Sequence, residues 1–229
     1  MLISVLIPAF NEENTIIEIL DSVNEQSNED YELEIIVIDD SSTDSTRQLL
    51  EDNKVLYSKL IKLEKNLGKG GAVREGLKSA TGSYVLFQDA DLEYNPIEYK
   101  KIFKIIDKFN ADVIIGSRFL SPEFTRVHYF FHKLGNKFIT GIFNLIYNTT
   151  FTDIYSCYLC FKRDLVDPLK LKSNNWSQHA EILATTVKSS KIFYEVPISY
   201  SGRTFEEGKK IKARHTFSVI YMILKKRLF

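Results

Sequence analysis

Short apolar runs that alternate with helix-like stretches constrain this chain more than any other feature. The runs Leu2–Ile7, Leu33–Ile38, Lys59–Leu63, Tyr84–Phe87 and Asp112–Ile115 are strand-like. Between them lie helical patterns from about Glu12 to Asn24, from Thr43, from Gly70, and from Pro96 to Phe109. Such alternation predicts an α/β fold with a mostly parallel central sheet and helices on both faces. Helix-start signals agree with it: Asn11 with acidic residues behind it, Ser42 or Thr43 before Asp44, and Asn95-Pro96 with Glu98.

Past Gly116 the pattern changes to long aromatic-rich helical segments, Arg126–Tyr147 and Gln178–Ser189, with strands near Tyr155–Phe161 and Ile192–Tyr200. No linker, internal repeat or low-complexity block interrupts the 229 residues, so 1–229 is expected to form one domain. Thirty basic and thirty acidic side chains cancel, which argues against a general nucleic-acid partner. The chain enters its first strand with no Lys or Arg ahead of it, unlike a signal peptide, and the expectation is a cytoplasmic protein. No apolar stretch reaches the roughly 20 residues of a spanning helix. Cys157 and Cys160 have CxxC spacing, but no second pair or paired His completes a zinc site, so two reduced thiols are expected. The tail 209–229 mixes apolar residues with Lys209, Lys210, Lys212, Arg214, Lys225, Lys226 and Arg227. A basic amphipathic helix of this kind lies on an anionic membrane surface or packs on its own domain, and the sequence leaves both open.

Two strand-like runs end on carboxylates. The first leads into Asp39-Asp40-Ser41-Ser42-Thr43-Asp44 and the second into Gln88-Asp89-Ala90-Asp91-Leu92-Glu93. In a parallel sheet both ends fall on the edge where ligands bind. Crowded carboxylates repel unless a hard cation sits among them, and Mg²⁺ or Mn²⁺ held by one or two carboxylates commonly also holds a substrate phosphate. An isolated Asp-x-Asp is more often a solvated turn, so the neighbouring motifs must decide. Gly68-Lys69-Gly70-Gly71 fits neither the Walker loop nor GxGxxG, because no Ser or Thr follows Gly-Lys at the required spacing and Val73 stands at the third glycine. Its glycines still permit close backbone approach beside a helix start.

Taken in order, Pro8-Ala9-Phe10-Asn11-Glu12-Glu13, Asp39–Asp44, Gly68–Arg74, Gln88–Glu93 and Gly116-Ser117-Arg118-Phe119 resemble the family 2 glycosyltransferases. The likeness is to the branch of dolichyl-phosphate mannosyltransferases and related polyprenyl-phosphate sugar transferases. Val196–Thr204 and Glu206–Ile211 extend it towards the C-terminus. The resemblance implies a GT-A-type fold and inverting transfer from a nucleotide sugar, GDP-mannose or a UDP-hexose, to a polyprenyl phosphate. It makes 1–118 the donor-binding half and 119–208 the acceptor-side half. Asp89, Asp91 and Glu93 would hold the metal. Pro8, Phe10, Glu12, Asp39, Asp40, Gly68, Lys69 and Asp89 would bind the donor. Asp91, Arg118 and Arg203 would serve the chemistry, and Arg126 and Asn136 would border the acceptor.

A lipid phosphate is ionised at neutral pH and needs no strong base, whereas a sugar-hydroxyl acceptor needs one. Glu181 is the best carboxylate for that second case. A third reading is a nucleotide-sugar-binding protein without transfer activity. It is suggested by departures from the family pattern: Tyr155 at an often acidic position, Leu159 where Lys is common, His179 where Glu is common, and Ser41 in place of a turn glycine.

Overall fold

The computed structural model describes residues 1–121, 129–202 and 215–228. Strands β1 (Leu2–Ala9), β2 (Glu32–Asp39), β3 (Lys59–Lys62), β4 (Tyr84–Phe87), β5 (Val113–Ser117), β6 (Leu159–Lys162) and β7 (Phe193–Pro197) form one sheet in the order β3-β2-β1-β4-β6-β5-β7. All neighbours are parallel except β6, which runs antiparallel to both β4 and β5. Consecutive residues Ile3 to Ile7 are all buried, so both faces of β1 are covered, as expected of a parallel sheet flanked by helices.

The helices are α1 (Ile16–Asn24), α2 (Thr46–Asp52), α3 (Lys69–Ser79), α4 (Tyr99–Phe109), α5 (Phe130–Tyr147), α6 (Gln178–Ser189) and α7 (His215–Leu228). Helix α3 packs over β1 and β2, and α4 over β5 and β7. Helix α4 shows why: Tyr99, Ile102, Phe103 and Ile106 fall on one face at helical spacing, and all four are buried.

Several boundaries move from their sequence expectations. Helix α1 starts at Ile16 rather than Glu12, because Asn11 takes a left-handed turn (φ 55°) and the Glu12 backbone N–H donates to Thr46 Oγ1. Residues 155–158 are not strand. The Asp153 carboxylate accepts the Tyr155 N–H and holds a turn, and the ladder begins only at Leu159.

Helix α7 packs against α5 and α6 through Val219, Met222 and Ile223. The Tyr147 hydroxyl donates to the Ile223 carbonyl (3.1 Å), and Lys226 pairs with Glu181 (3.0 Å). Of the two possibilities for the tail, packing on the domain therefore holds for 215–228. Phe217, Tyr221, Leu224 and Leu228 of α7 nevertheless remain exposed, as do Phe130, Phe131, Leu134 and Phe138 of α5. Among the described residues no helix is long and apolar enough to cross a membrane.

Candidate active site

The parallel register sets the site. Ala9 pairs with Asp39 across β1 and β2, while Leu6 pairs with Phe87 across β1 and β4, so these three strands end at one edge. Strand β5 runs in the same sense and delivers Arg118 to that edge. Beyond the strand ends lies a cleft of about 590 Å³. Pro8, Phe10, Glu12, Asp40, Gly68, Lys69, Asp89 and Asp91 all line it, together with Asn66, Leu67, Asn174, Asn175 and Trp176.

The acidic turn after β4 is held from beneath by Gln88, which is fully buried. Its amide nitrogen donates to the Asp89 and Tyr94 carbonyls (2.9 and 3.2 Å), and its oxygen accepts from the Tyr99 and Tyr158 hydroxyls (2.7 and 2.9 Å). Every polar atom of the side chain is thus used to fix the turn that carries the two aspartates. The glycine-rich segment reaches the cleft through Gly68, at φ 77°, where a Cβ would lie 2.6 Å from the Asn174 carbonyl oxygen. At Gly70 a Cβ would come within 2.7 Å of the Ser173 carbonyl oxygen. The glycines therefore bring α3 against the 173–174 loop and place Lys69 over the acidic turn.

Lys69 ion-pairs with Asp89, and its ammonium lies 5.5 Å from the Trp176 ring centroid. Burial pushes the Lys69 pKa down, but Asp89 more than offsets it and leaves the ammonium above its usual range. Burial pushes Asp89 up, yet Lys69 and the Cys157 thiol hold the carboxyl below its ordinary value. Asp40 moves the other way: burial raises it above the usual carboxylate range, although its Oδ1 accepts the Leu67 N–H at 2.7 Å.

A second, smaller pocket of about 70 Å³ adjoins the cleft. The two share Lys69, Asp89 and Trp176, and the small one adds Glu93, Tyr94, Arg118, Tyr155, Cys157, Gln178, His179 and Tyr200. Arg118 makes a bidentate pair with buried Asp153, Nε to Oδ2 at 2.7 Å and Nη2 to Oδ1 at 2.8 Å. Burial opposes its charge, and Asp153 overcomes that and holds the guanidinium well above its usual pKa. Its other surroundings are aromatic, with Tyr200 and Phe119 rings 5.1 and 5.6 Å from its central carbon. Asp153 is itself fixed from β7, where Glu195 accepts the Thr152 and Asp153 N–H groups.

Other expected site residues lie elsewhere or are engaged within the protein. Asp39 does not line the cleft: it is fully buried, ion-paired with Arg47, and accepts the Ser42 N–H at 3.0 Å, so it braces the turn that presents Asp40. Glu181 is also fully buried, and its carboxylate accepts the Lys172 and Ser173 N–H groups while pairing with Lys226. A carboxylate engaged in that way braces α6, α7 and the 172–173 loop, and it lines neither pocket. Glu93 does not close a three-carboxylate cage. Its Oε2 accepts the Tyr200 hydroxyl at 2.8 Å, and no group of three potential metal-ligating side chains occurs among the described residues. Asp89 and Asp91 still fit a divalent cation, because both line the cleft and offer the hard oxygen ligands that such a cation takes, although the Lys69 ammonium already holds one Asp89 oxygen. Asn136 lies half-buried on α5, outside both pockets. Arg126 and Arg203 lie outside the described residues, as does the basic stretch 209–214.

Three departures noted in the sequence separate here. Tyr155 and His179 meet in the small pocket with ring centroids 6.2 Å apart, whereas Leu159 is buried in the sheet. Burial, and then the Lys69 ammonium, push the His179 imidazole down to about 4, so it is neutral at physiological pH. Asp153, Trp176 and Gln178 were not singled out beforehand. The lone Trp after the polar run Lys172–Asn175 was the available signal, whereas Asp153 and Gln178 carry none that spacing reveals.

A mostly parallel sheet whose strand ends carry acidic turns, beside a glycine-lined helix start, sets a polar cleft at the carboxyl edge of an α/β fold, the edge where ligands bind in such folds. The chain belongs to glycosyl transferase family 2, whose model matches residues 4–168, and it is a glycosyltransferase by class. It is 29% identical to a dolichol-phosphate mannosyltransferase of Pyrococcus furiosus over 231 aligned residues, covering 98% of this chain and 64% of that one. It is 37% identical to a dolichyl-phosphate beta-glucosyltransferase of Dictyostelium discoideum over 131 residues, 51% of this chain and 39% of that one. The chain thus spans less than two thirds of either relative. In fold it is similar to glucosyl-3-phosphoglycerate synthase from Mycobacterium tuberculosis, crystallised with Mn²⁺, UDP-glucose and phosphoglyceric acid. The TM-score is 0.74 at 18% identity, over 99% of this chain and 80% of that one. That likeness establishes the GT-A fold.

Proposed function

We propose that this chain transfers a hexose, with inversion, from a nucleotide sugar to a polyprenyl phosphate, and that residues 1–229 act as one catalytic domain at the cytoplasmic membrane face. The observation that carries the reading is the cleft in which Asp40, Lys69, Asp89 and Asp91 converge beside the Gly68 turn. Pro8, Phe10, Glu12 and Asp40 would receive the base and ribose, with the Asp40 carboxylate accepting hydrogen bonds from N–H or hydroxyl groups. Asp89 and Asp91 would hold Mg²⁺ or Mn²⁺. When bound, the cation offsets charge on the departing diphosphate.

In the transfer, an acceptor phosphate oxygen forms a bond to the anomeric carbon while the bond from that carbon to the diphosphate breaks. The diphosphate leaves with the electron pair. The attacking phosphate is already ionised, so no proton need be removed. Burial of the Glu181 carboxylate between α6, α7 and the 172–173 loop fits this acceptor better than a sugar hydroxyl, which would require a base. Arg118, held by Asp153 in the smaller pocket, would stand beside the transferred group. The names of the two curated relatives support a dolichol-type acceptor. The exposed aromatic face of α5 and the exposed Phe217, Tyr221, Leu224 and Leu228 of α7, with Lys225 and Arg227 at its end, support contact with a lipid surface.

Incubation with Mn²⁺ and labelled UDP-glucose or GDP-mannose, with and without polyprenyl phosphate, tests the proposal. Label should enter the organic phase only when the lipid is present. A water-soluble glycan product would favour a hydroxyl acceptor, and binding of nucleotide without consumption of any donor would refute transfer.

A further inference from the structure

Two residues that line the small pocket each carry a buried polar atom, Gln178 Nε2 and His179 Nε2, with no hydrogen-bond partner among the described residues. Gln178 is only 2% exposed, so bulk water does not serve its amide either. Along the same turn and loop Ser177, Ser173 and Glu181 are all bonded, while Ser156 Oγ, between Tyr155 and Cys157 in the chain, is likewise buried without a partner among the described residues. A buried amide donor that the fold leaves unserved is a standing cost unless a ligand oxygen takes it up.

The position of the pocket says which part of the donor that is. It adjoins the nucleotide cleft across Lys69, Asp89 and Trp176, on the Asp89 side and away from Pro8 and Phe10. The group of a nucleotide sugar that lies past the diphosphate, opposite the base, is the sugar. A volume of about 70 Å³ admits hydroxyl-sized groups, whereas a nucleoside needs the adjoining cleft.

Charge points the same way. Lys69 is matched by Asp89, and Arg118 by Asp153, so the unserved groups are uncharged. They suit a neutral hydroxyl, while a further anion would meet Asp89 and Glu93 in the same small space. The walls are rigid: the Tyr155 hydroxyl donates to the Trp176 carbonyl at 2.9 Å, and Gln178 Cβ sits 2.8 Å from where a Cβ on Gly70 would be.

We propose that Gln178 and His179 determine sugar specificity by hydrogen-bonding a hydroxyl of the transferred hexose, with Gln178 Nε2 as a donor to it. The inference rests on the nucleotide-sugar reading above and adds the residues that distinguish one sugar from another. A site built to bond a hydroxyl discriminates against the analogue that lacks it, because its own buried group is then left unpaired.

Calorimetric titration with UDP, UDP-glucose, GDP and GDP-mannose in Mn²⁺ tests it on the wild type, Gln178→Met and His179→Leu. For the base that the wild type accepts, each variant should bind the nucleotide sugar about five- to tenfold more weakly, the value of one lost hydrogen bond. Affinity for the nucleoside diphosphate should stay within about twofold of wild type, since its groups lie in the other pocket. Gln178→Met keeps the side-chain volume and breaks no bond within the protein, so the ligand-free melting temperature should hold or rise. A fall in that temperature, equal weakening of diphosphate and sugar nucleotide, or unchanged sugar-nucleotide affinity would each overturn the proposal. So would a raised KM for polyprenyl phosphate alone, which would give the unserved donor to the acceptor. A wild type that binds none of the four nucleotides defeats the donor reading itself, and this inference with it.

Discussion

Glu181→Gln separates the two acceptor chemistries, because the structure assigns this carboxylate a bracing role and a hydroxyl acceptor would assign it catalysis. In the folded protein Glu181 is fully buried, accepts the Lys172 and Ser173 N–H groups at 2.8–3.1 Å, and pairs with Lys226 at 3.0 Å. Replacement by the amide removes the charge that all three donors share and leaves Lys226 without its counter-ion. Removing one partner of a buried ion pair costs about 3–5 kcal/mol. The Lys226 side chain retains 22% exposure, so part of its charge can be solvated and the lower end, about 3 kcal/mol, is the expected loss. For a chain of this size each kcal/mol moves the melting temperature by about 2–4 °C, giving a fall of roughly 6–12 °C. Calorimetry on wild type, Glu181→Gln, Lys226→Met and the double variant should show the two single losses to be strongly non-additive. Steady-state turnover, normalised to folded protein below both transitions, should stay within about threefold of wild type. General-base catalysis is worth about 10²–10⁴-fold in rate. A loss of turnover in that range with an unchanged melting temperature would refute the bracing role and restore the hydroxyl acceptor.

Three further outcomes are expected. Ser41 adopts φ 63°, a left-handed conformation that suits glycine, so Ser41→Gly should stabilise the protein by about 0.5–1 kcal/mol in urea titration with an unchanged m-value; a destabilised variant would contradict the strain. His179 has its pKa lowered to about 4 by burial and by Lys69, so the unfolded chain binds more protons than the native one between about pH 4 and 6.5. Stability should rise with pH across that window, by at most about 3 kcal/mol, and His179→Gln should flatten the slope in denaturant titrations; an equal slope in both proteins would exclude this group as its source. Asp91→Ala should abolish metal-dependent turnover while lowering the melting temperature by only about 2–4 °C, the value of the Glu93 N–H bond that its carboxylate accepts; a near-normal rate would remove Asp91 from the site.

Much of the site's outline follows from the strands. Because β1, β2 and β4 are parallel and register Ala9 with Asp39 and Leu6 with Phe87, any polar residue just past those runs must reach the same edge. Pro8, Phe10, Asp40, Asp89 and Asp91 stand at or just past those strand ends, and all of them line the cleft. The period of a strand and the sense of a crossover are local properties, and the sequence carries them openly.

What tertiary structure alone decided is which of two adjacent carboxylates meets the cleft and which is consumed in holding it. Asp39 and Asp40 are indistinguishable as a sequence pair. Arg47, eight residues on, claims the first, and Leu67 fixes the second. Glu181 likewise has the composition and position of a base until Lys226, from a different helix, closes on it. Tyr155, Trp176, Gln178 and His179 come together only because the glycines of α3 let the 173–174 loop approach. The family and the donor edge therefore belong to the sequence, through short-range periodicity and strand direction. The division of buried polar groups between support and recognition belongs to the folded chain, since a charge's role depends on which distant partner reaches it first.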